Sequence, residues 1–308
     1  MELIFLGTGG AWGLPELNCS CQICNEHRRK GEKRDRTALL LSGGNTLLID
    51  CGPDIRAQLS RNQINKVDTV LITHEHGDHY MGLDELFAYK RTMARDAFSP
   101  IPVCMSLESW RIIQQRFGYL EEMGVMEVSI VQPGEWLDAG VFTIMPFKTD
   151  HGTFASGSVG FVIGFPDRNG KAARVVYTSD FMNLPEILPA LRHADYLIIQ
   201  SFWLNEPVEN RPHHMSFQRA IPFIRMLEPK KETFLVHIGD ADQISGDPAN
   251  IMLKKYAPKA PLSHGEHLPP YPIPLNQEQW QQTVDQIRKD CGLSARVTVA
   301  YDDQRIEI

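Results

Sequence analysis

Three imidazoles and the Asp78 carboxylate fall within the run His74-Glu75-His76-Gly77-Asp78-His79. Imidazole nitrogen and carboxylate oxygen are the donors that hold zinc and related divalent cations. The run follows Thr69–Ile72, which reads as a buried strand, and loops at strand ends are where a rigid scaffold presents chemistry. Gly77 lets the chain turn, so Asp78 and His79 can reach a second metal position beyond His74 and His76. The bland alternative is a solvated polar loop, and so dense a set of ionisable groups argues against it. His151, Asp180 and His237 each stand just beyond an apolar, strand-like run. That position makes them candidates for the same cluster; singly, each could instead be a structural histidine or a turn-forming aspartate. A second group, Cys19-Ser20-Cys21-Gln22-Ile23-Cys24, crowds three thiols together. Soft sulfur ligands select zinc, so a structural zinc with a fourth ligand from elsewhere is expected, a redox pair or plain loop cysteines being the alternatives.

The elements that must position these groups are legible as runs. Glu2–Leu6 reads as a strand entering a glycine-rich loop, and Ala38–Leu41 with Thr46–Ile49 reads as a hairpin. Val159–Phe165, Arg174–Thr178, Tyr196–Gln200 and Thr233–Val236 read as strands, and Arg296–Ala300 with Arg305–Ile308 as a closing hairpin. Ile55–Asn62, Leu83–Met93, Leu107–Gly118 and Phe217–Met226 have helical character. Helices accompany strands in both halves, which predicts an α+β fold of two packed sheets with helices outside. Asp247–Cys291 is proline-rich, including Pro269, Pro270, Pro272 and Pro274. Prolines disfavour a central strand or helix, so about 247–291 is expected to be an insertion in a single domain over 1–308, a lid or interface element. Its His264-Gly265-Glu266-His267 could reach the mouth of the site or sit on a surface loop.

The order His74-x-His76-x-Asp78-His79, His151, Asp180, His237 resembles the metallo-β-lactamase fold superfamily across nearly the whole chain. The resemblance implies a four-layer αββα sandwich with a one- or two-metal hydrolase site. His74, His76 and His151 would hold the first ion, Asp78, His79 and His237 the second, and Asp180 would bridge them. Asp50, in Leu48-Ile49-Asp50-Cys51-Gly52, would orient the metal loop. Leu6-Gly7-Thr8-Gly9-Gly10-Ala11, the cysteine cluster and the ending Ala300–Ile308 are similar to the PhnP-like phosphodiesterases and to the pyrroloquinoline-quinone biosynthesis protein B branch. That likeness implies Asp240 as the fourth ligand of the cysteine site, with His27 left open. It implies His214 as the proton donor, with His213 as the fallback. The expected cofactors are two divalent ions, zinc or manganese, and one structural zinc.

The function so implied is a phosphodiesterase, cyclic phosphates among its substrates, in which a hydroxide between two metal ions attacks phosphorus and Asp78, Asp180 and His214 take part. Thioester or lactone hydrolysis, RNA processing, and a non-hydrolytic role in cofactor biosynthesis are the alternatives. The formal net charge of -7 argues against an extended nucleic-acid partner and for a small phosphoester. No apolar run spans a bilayer, the first residues do not read as a secretion signal, and the expected location is the cytoplasm. A homodimer is compatible with all of this.

Overall fold

The computed structural model describes residues 1–308 apart from Arg95 and Glu266. The first part of the chain lays down β1 (Glu2–Gly7), β2 (Ala38–Ser42), β3 (Thr46–Ile49), β4 (Thr69–Leu71), β5 (Ile101–Met105) and β6 (Met126–Ile130). The remainder supplies β7 (Leu137–Ala139), β8 (Phe142–Lys148), β9 (Val159–Pro166), β10 (Ala172–Tyr177), β11 (Tyr196–Gln200), β12 (Glu232–Val236), β13 (Val297–Val299) and β14 (Gln304–Glu307). Among the described residues these form two mixed sheets, ordered β14-β1-β2-β3-β4-β5-β6 and β13-β12-β11-β10-β9-β8-β7. The helices are α1 (Gln22–Lys30), α2 (Ile55–Arg61), α3 (Gly77–Tyr80), α4 (Phe87–Thr92), α5 (Leu107–Glu122), α6 (Phe217–Leu227) and α7 (Gln277–Asp290).

Alternation along the strands builds the layers. Leu3 and Phe5 of β1 enter the core between the sheets with Ile198 of β11 and Phe234 of β12. Ile4 and Leu6 face the other way, onto Ile55 and Leu59 of α2 and Ile113 and Phe117 of α5. On the second sheet, Leu197, Ile199 and Leu235 face outward onto Phe217 and Ile224 of α6 and Trp280 and Val284 of α7. Both faces of each central strand are thus buried, which is why these strands read as unbroken apolar runs. The result is the helix–sheet–sheet–helix order of the metallo-β-lactamase sandwich. Among the described residues no helix is long and apolar enough to cross a membrane.

The pairing directions decide where the site can be. β1, β3 and β4 run the same way in one sheet. So do β8, β10, β11 and β12 in the other. Their C-terminal ends therefore share a rim, and the loops that leave it carry Asp50, His74, His151, Asp180 and His237.

Two expectations are corrected. Arg296–Ala300 and Arg305–Ile308 are not a hairpin: β13 pairs in parallel with β12, whereas β14 crosses to the other sheet and pairs antiparallel with β1. The crossing is pinned by polar contacts rather than by a turn. Asp302 accepts from Thr8 Oγ1 (2.8 Å) and Asp35 N (2.6 Å), and Asp303 accepts from Arg61 Nε. Asp247–Cys291 does contain a regular helix, because the prolines end at Pro274 and Asn276 caps α7 by accepting from Gln279 N. His264 lies against Tyr271, 4.1 Å between ring centroids, and near Asp290; Glu266 lies outside the described residues.

The Asp302 anchor carries a pH signature. Burial pushes its carboxyl up to about 6, although the Asp35 amide and Thr8 hydroxyl favour the charged form. The native chain then holds a proton that the unfolded chain has released between about pH 4 and 6, so this group's stabilisation is complete below that window and lost as pH rises through it. Asp302→Asn is expected to gain stability relative to wild type between pH 5 and pH 7, by less than about 1 kcal/mol per pH unit since the group is partly solvated. Urea midpoints at the two pH values measure it; a pH-independent difference between the proteins would refute the assignment.

Candidate active site and metal centres

The rim loops use strained backbone to aim their side chains. Asp50, Ser179 and His237, each just past a strand, take left-handed φ values of 64°, 59° and 59° without being glycine. Such residues cost on the order of 1 kcal/mol and persist where the surrounding fold imposes them. Close approach also demands glycine at one position: a Cβ on Gly52 would lie 2.0 Å from the Asp78 carbonyl oxygen. This lets the loop after β3 press against α3, with Cys51 N donating to His79 O at 2.7 Å.

The donor atoms of His74, His76 and His151 lie within 4.8 Å of one another, and so do those of Asp78, His79, Asp180 and His237. Asp180 joins the sets: its Oδ2 is 3.0 Å from His237 Nε2, 3.5 Å from His79 Nε2 and 3.9 Å from His151 Nε2. It is also 3.6 Å from His214 Nδ1. All seven residues expected at the dinuclear centre are brought together.

Hydrogen bonds at the back of the rings fix which nitrogen faces the centre. His79 Nδ1 donates to Asp50 Oδ2 (2.7 Å), and His151 Nδ1 donates to the His213 carbonyl (2.9 Å). His74 Nδ1 meets Thr73 Oγ1 (3.0 Å), whose hydroxyl is itself held by Asp50. Acceptors behind these rings leave lone pairs on the Nε2 atoms in front, the arrangement that metal-binding histidines share. His74 Nε2, His79 Nε2, His237 Nε2 and Asp180 Oδ1 are buried and make no hydrogen bond. Buried polar atoms are rarely left so, and converging lone pairs and carboxylates are complementary to cations. The residues present therefore fit divalent metal.

The electrostatics agree. Burial opposes charge on Asp78 and Asp180, yet the surrounding histidines hold both carboxyls well below their usual range. Burial also opposes charge on His79, but Asp78, Asp50 and Asp180 outweigh it and hold its proton well above the usual range, so that without a cation a proton occupies the Nε2 position a metal ion would take. Burial pushes His151 down to about 4 and keeps His74 and His214 well below the usual range, so these rings are neutral donors at pH 7.

His214 is buried beside the centre, while His213 contributes its carbonyl. Gln200 sets His214. Its Oε1 accepts from Phe181 N and Met215 N (3.0 Å each), which turns its amide nitrogen toward His214 Nδ1 (2.6 Å) and His237 Nδ1 (2.9 Å). Neutral His214 then carries its proton on Nε2. Glu75, inside the histidine run, is not a donor in either set; it accepts from Ser109 Oγ (2.8 Å) and Gly157 N (3.2 Å), tying the run to neighbouring loops. Gln200, the His213 carbonyl and the tie through Glu75 were not expected. Gln200 alone had a signal, its place at the end of β11.

The cysteines form a second cluster. Asp240 Oδ2 is 3.7, 3.3 and 3.0 Å from the sulfurs of Cys19, Cys21 and Cys24, and all four residues are buried. Each sulfur accepts a backbone N–H: Cys19 from Cys21, Cys21 from Cys24 and Cys24 from Glu16. Cys21 also caps α1, so the helix N-terminus favours thiolate there. Asp240 completes the donor set, of which His27 is not a member.

A cavity of about 700 Å³ opens over the first cluster, lined at its floor by His76, Asp78, His151 and His214. None of the described residues of 247–291 lines it.

Comparison with known proteins is consistent with this geometry. The family model of the beta-lactamase superfamily domain matches residues 45–238. The octanoyltransferase of Porphyromonas gingivalis is 28% identical over 249 residues, 77% of this chain and 46% of that protein. The ribonuclease Z of Archaeoglobus fulgidus is 26% identical over 179 residues, 56% of this chain and 51% of that one. The chain thus spans about half the length of these curated relatives. A diphosphatase from the PhnP family superposes with a TM-score of 0.69 at 21% identity, covering 100% of this chain and 96% of that one. The chain belongs to the beta-lactamase superfamily, with donor sets that could hold metal ions in the fold that PhnP-family and PqqB structures share.

Proposed function

We propose that the chain is a metal-dependent phosphodiesterase acting on small phosphoesters, cyclic phosphates included. His74, His76 and His151 would hold one divalent ion, Asp78, His79 and His237 a second, and Asp180 both; Cys19, Cys21, Cys24 and Asp240 would hold a structural zinc. Ions held there supply positive charge that activates water and neutralises a phosphoryl oxygen. Asp50 and Thr73 keep the imidazoles in register, and Gln200 keeps the His214 N–H on Nε2, where it can donate a hydrogen bond to the charge that builds on a leaving oxygen.

The observation that carries the reading is Asp180, whose one oxygen serves both donor sets, with the His214 ring beside it. Two joined cation sites and a nearby N–H hydrogen-bond donor suit the charge that builds on phosphorus and on the departing oxygen. The ribonuclease Z relatives favour a second reading, RNA cleavage. The cavity's arginines support it poorly: Arg36 is engaged by Asp54 and Arg211 by Glu209, and Asp84 and Glu85 share the same lining. That is a weak grip for a polyanion.

The test is metal analysis of the purified chain followed by a substrate panel. About three divalent ions per chain are expected, with hydrolysis of cyclic and linear phosphodiesters exceeding that of thioesters, lactones and precursor tRNA. A metal-loaded chain active only on acyl esters or only on tRNA would refute the proposal.

A further inference from the structure

We infer that the cavity selects phosphodiesters bearing a flat aromatic ring, in the manner of a nucleotide. The inference rests on the phosphodiesterase reading above and adds what the walls of the cavity say about the rest of the substrate.

The walls differ in kind from the floor. Trp12 and Phe154 both line the cavity and are among the most exposed large apolar side chains of the protein, 71% and 87% exposed. They come from separate loops: Trp12 from the glycine-rich loop after β1, Phe154 from the loop that follows His151. Pro53, Met81 and Pro212 add to the apolar lining. A polar floor of histidines and aspartate under apolar walls fits a ligand with an anionic end and an apolar end.

The shape of the walls chooses the apolar end. A hydrocarbon chain gains most from an enclosed slot that removes it from water on every side. Two rings left open to solvent offer flat faces instead. A heteroaromatic ring stacked on them keeps its polar edge hydrated, and stacking on aromatic side chains is tolerant of base identity. Arg36 and Arg211 are engaged by carboxylates, so the walls offer no track for a second phosphate, and a single diester is the unit that fits.

The test compares 2′,3′-cyclic AMP with the 2′,3′-cyclic phosphate of 1-O-methylribose on the metal-loaded enzyme. Wild type is expected to prefer the base-bearing diester. Trp12→Ala and Phe154→Ala should each cut the ratio of the two kcat/KM values about tenfold, mainly through the KM of cyclic AMP, and Trp12→Phe should restore most of it. An unchanged ratio in both alanine variants overturns the inference. Hydrolysis of neither diester by wild type would instead overturn the phosphodiesterase reading, and a binding measurement separates the two failures. AMP should quench tryptophan fluorescence in wild type but not in Trp12→Phe, with ribose 5-phosphate as the control. No AMP-dependent quenching in wild type would overturn the aromatic contact whatever the enzyme hydrolyses.

Discussion

Asp180→Ala is expected to lower phosphodiester hydrolysis by at least about 10³-fold, or ~4 kcal/mol of barrier, and to reduce catalytic-centre metal to about one ion or none. The magnitude follows from what a single oxygen touches. Oδ2 of Asp180 reaches His237, His79 and His151, so its loss separates two donor sets that otherwise share an anion. Neutral imidazoles of His74, His76 and His151 would remain on one side and Asp78 with two histidines on the other. Neither remnant brings two cations together, and the field that holds the His79 proton weakens with the lost charge. Mutating a positioning residue should do less: Asp50→Asn still accepts from Thr73 and is expected to cost about 10–100-fold in metal affinity. Metal analysis beside initial rates on one diester checks both. Retention of two ions and of most activity by Asp180→Ala would refute the bridging role.

Much of this centre was legible because its ligands sit where apolar runs stop. A strand buried on both faces ends abruptly in sequence, and the polar residues just beyond it mark the rim; Asp50 and His237 come directly after their apolar runs, and His74, His151 and Asp180 within a few residues of theirs. The back of the rings was less legible. Gln200 acts through an amide whose orientation is fixed by two backbone N–H groups from distant segments, and the His213 contribution is a carbonyl that any residue possesses. Topology failed at the end of the chain for a related reason. Two short strands in succession suggest a hairpin, and nothing local records that Asp302 and Asp303 are captured by Thr8, Asp35 and Arg61, which draws β14 to the opposite sheet. The helix α7 was hidden by the prolines before it, although Asn276 and the apolar spacing of Trp280, Val284 and Ile287 were its signals.

The cysteine cluster supports the second large effect. Three thiolates and one carboxylate around a divalent ion would leave two negative charges, one more than if the fourth ligand were histidine. The chain places cations against that excess. Lys254 Nζ donates to Asp240 Oδ2 at 2.5 Å and also meets Glu16, while Lys255 Nζ donates to the Asp240 and Asp242 carbonyls. Cys21→Ser removes a sulfur ligand while its hydroxyl can still cap α1, and with the sulfur goes the tie between the glycine-rich loop and the segment after it. It is expected to lower Tm by roughly 10 °C or more and to leave the chain short of one zinc. Lys254→Met should keep the zinc but release it about tenfold faster to a chelator, because a desolvated charge loses its partner. Asp240→His in the same chain removes the excess charge that Lys254 offsets and should return the release rate toward that of wild type. A colorimetric chelator assay on the three proteins reads these rates without recourse to catalysis. Equal release from wild type and Lys254→Met would show that the lysine does not stabilise the site, and failure of Asp240→His to slow release in the Lys254→Met chain would show that charge is not the reason it does.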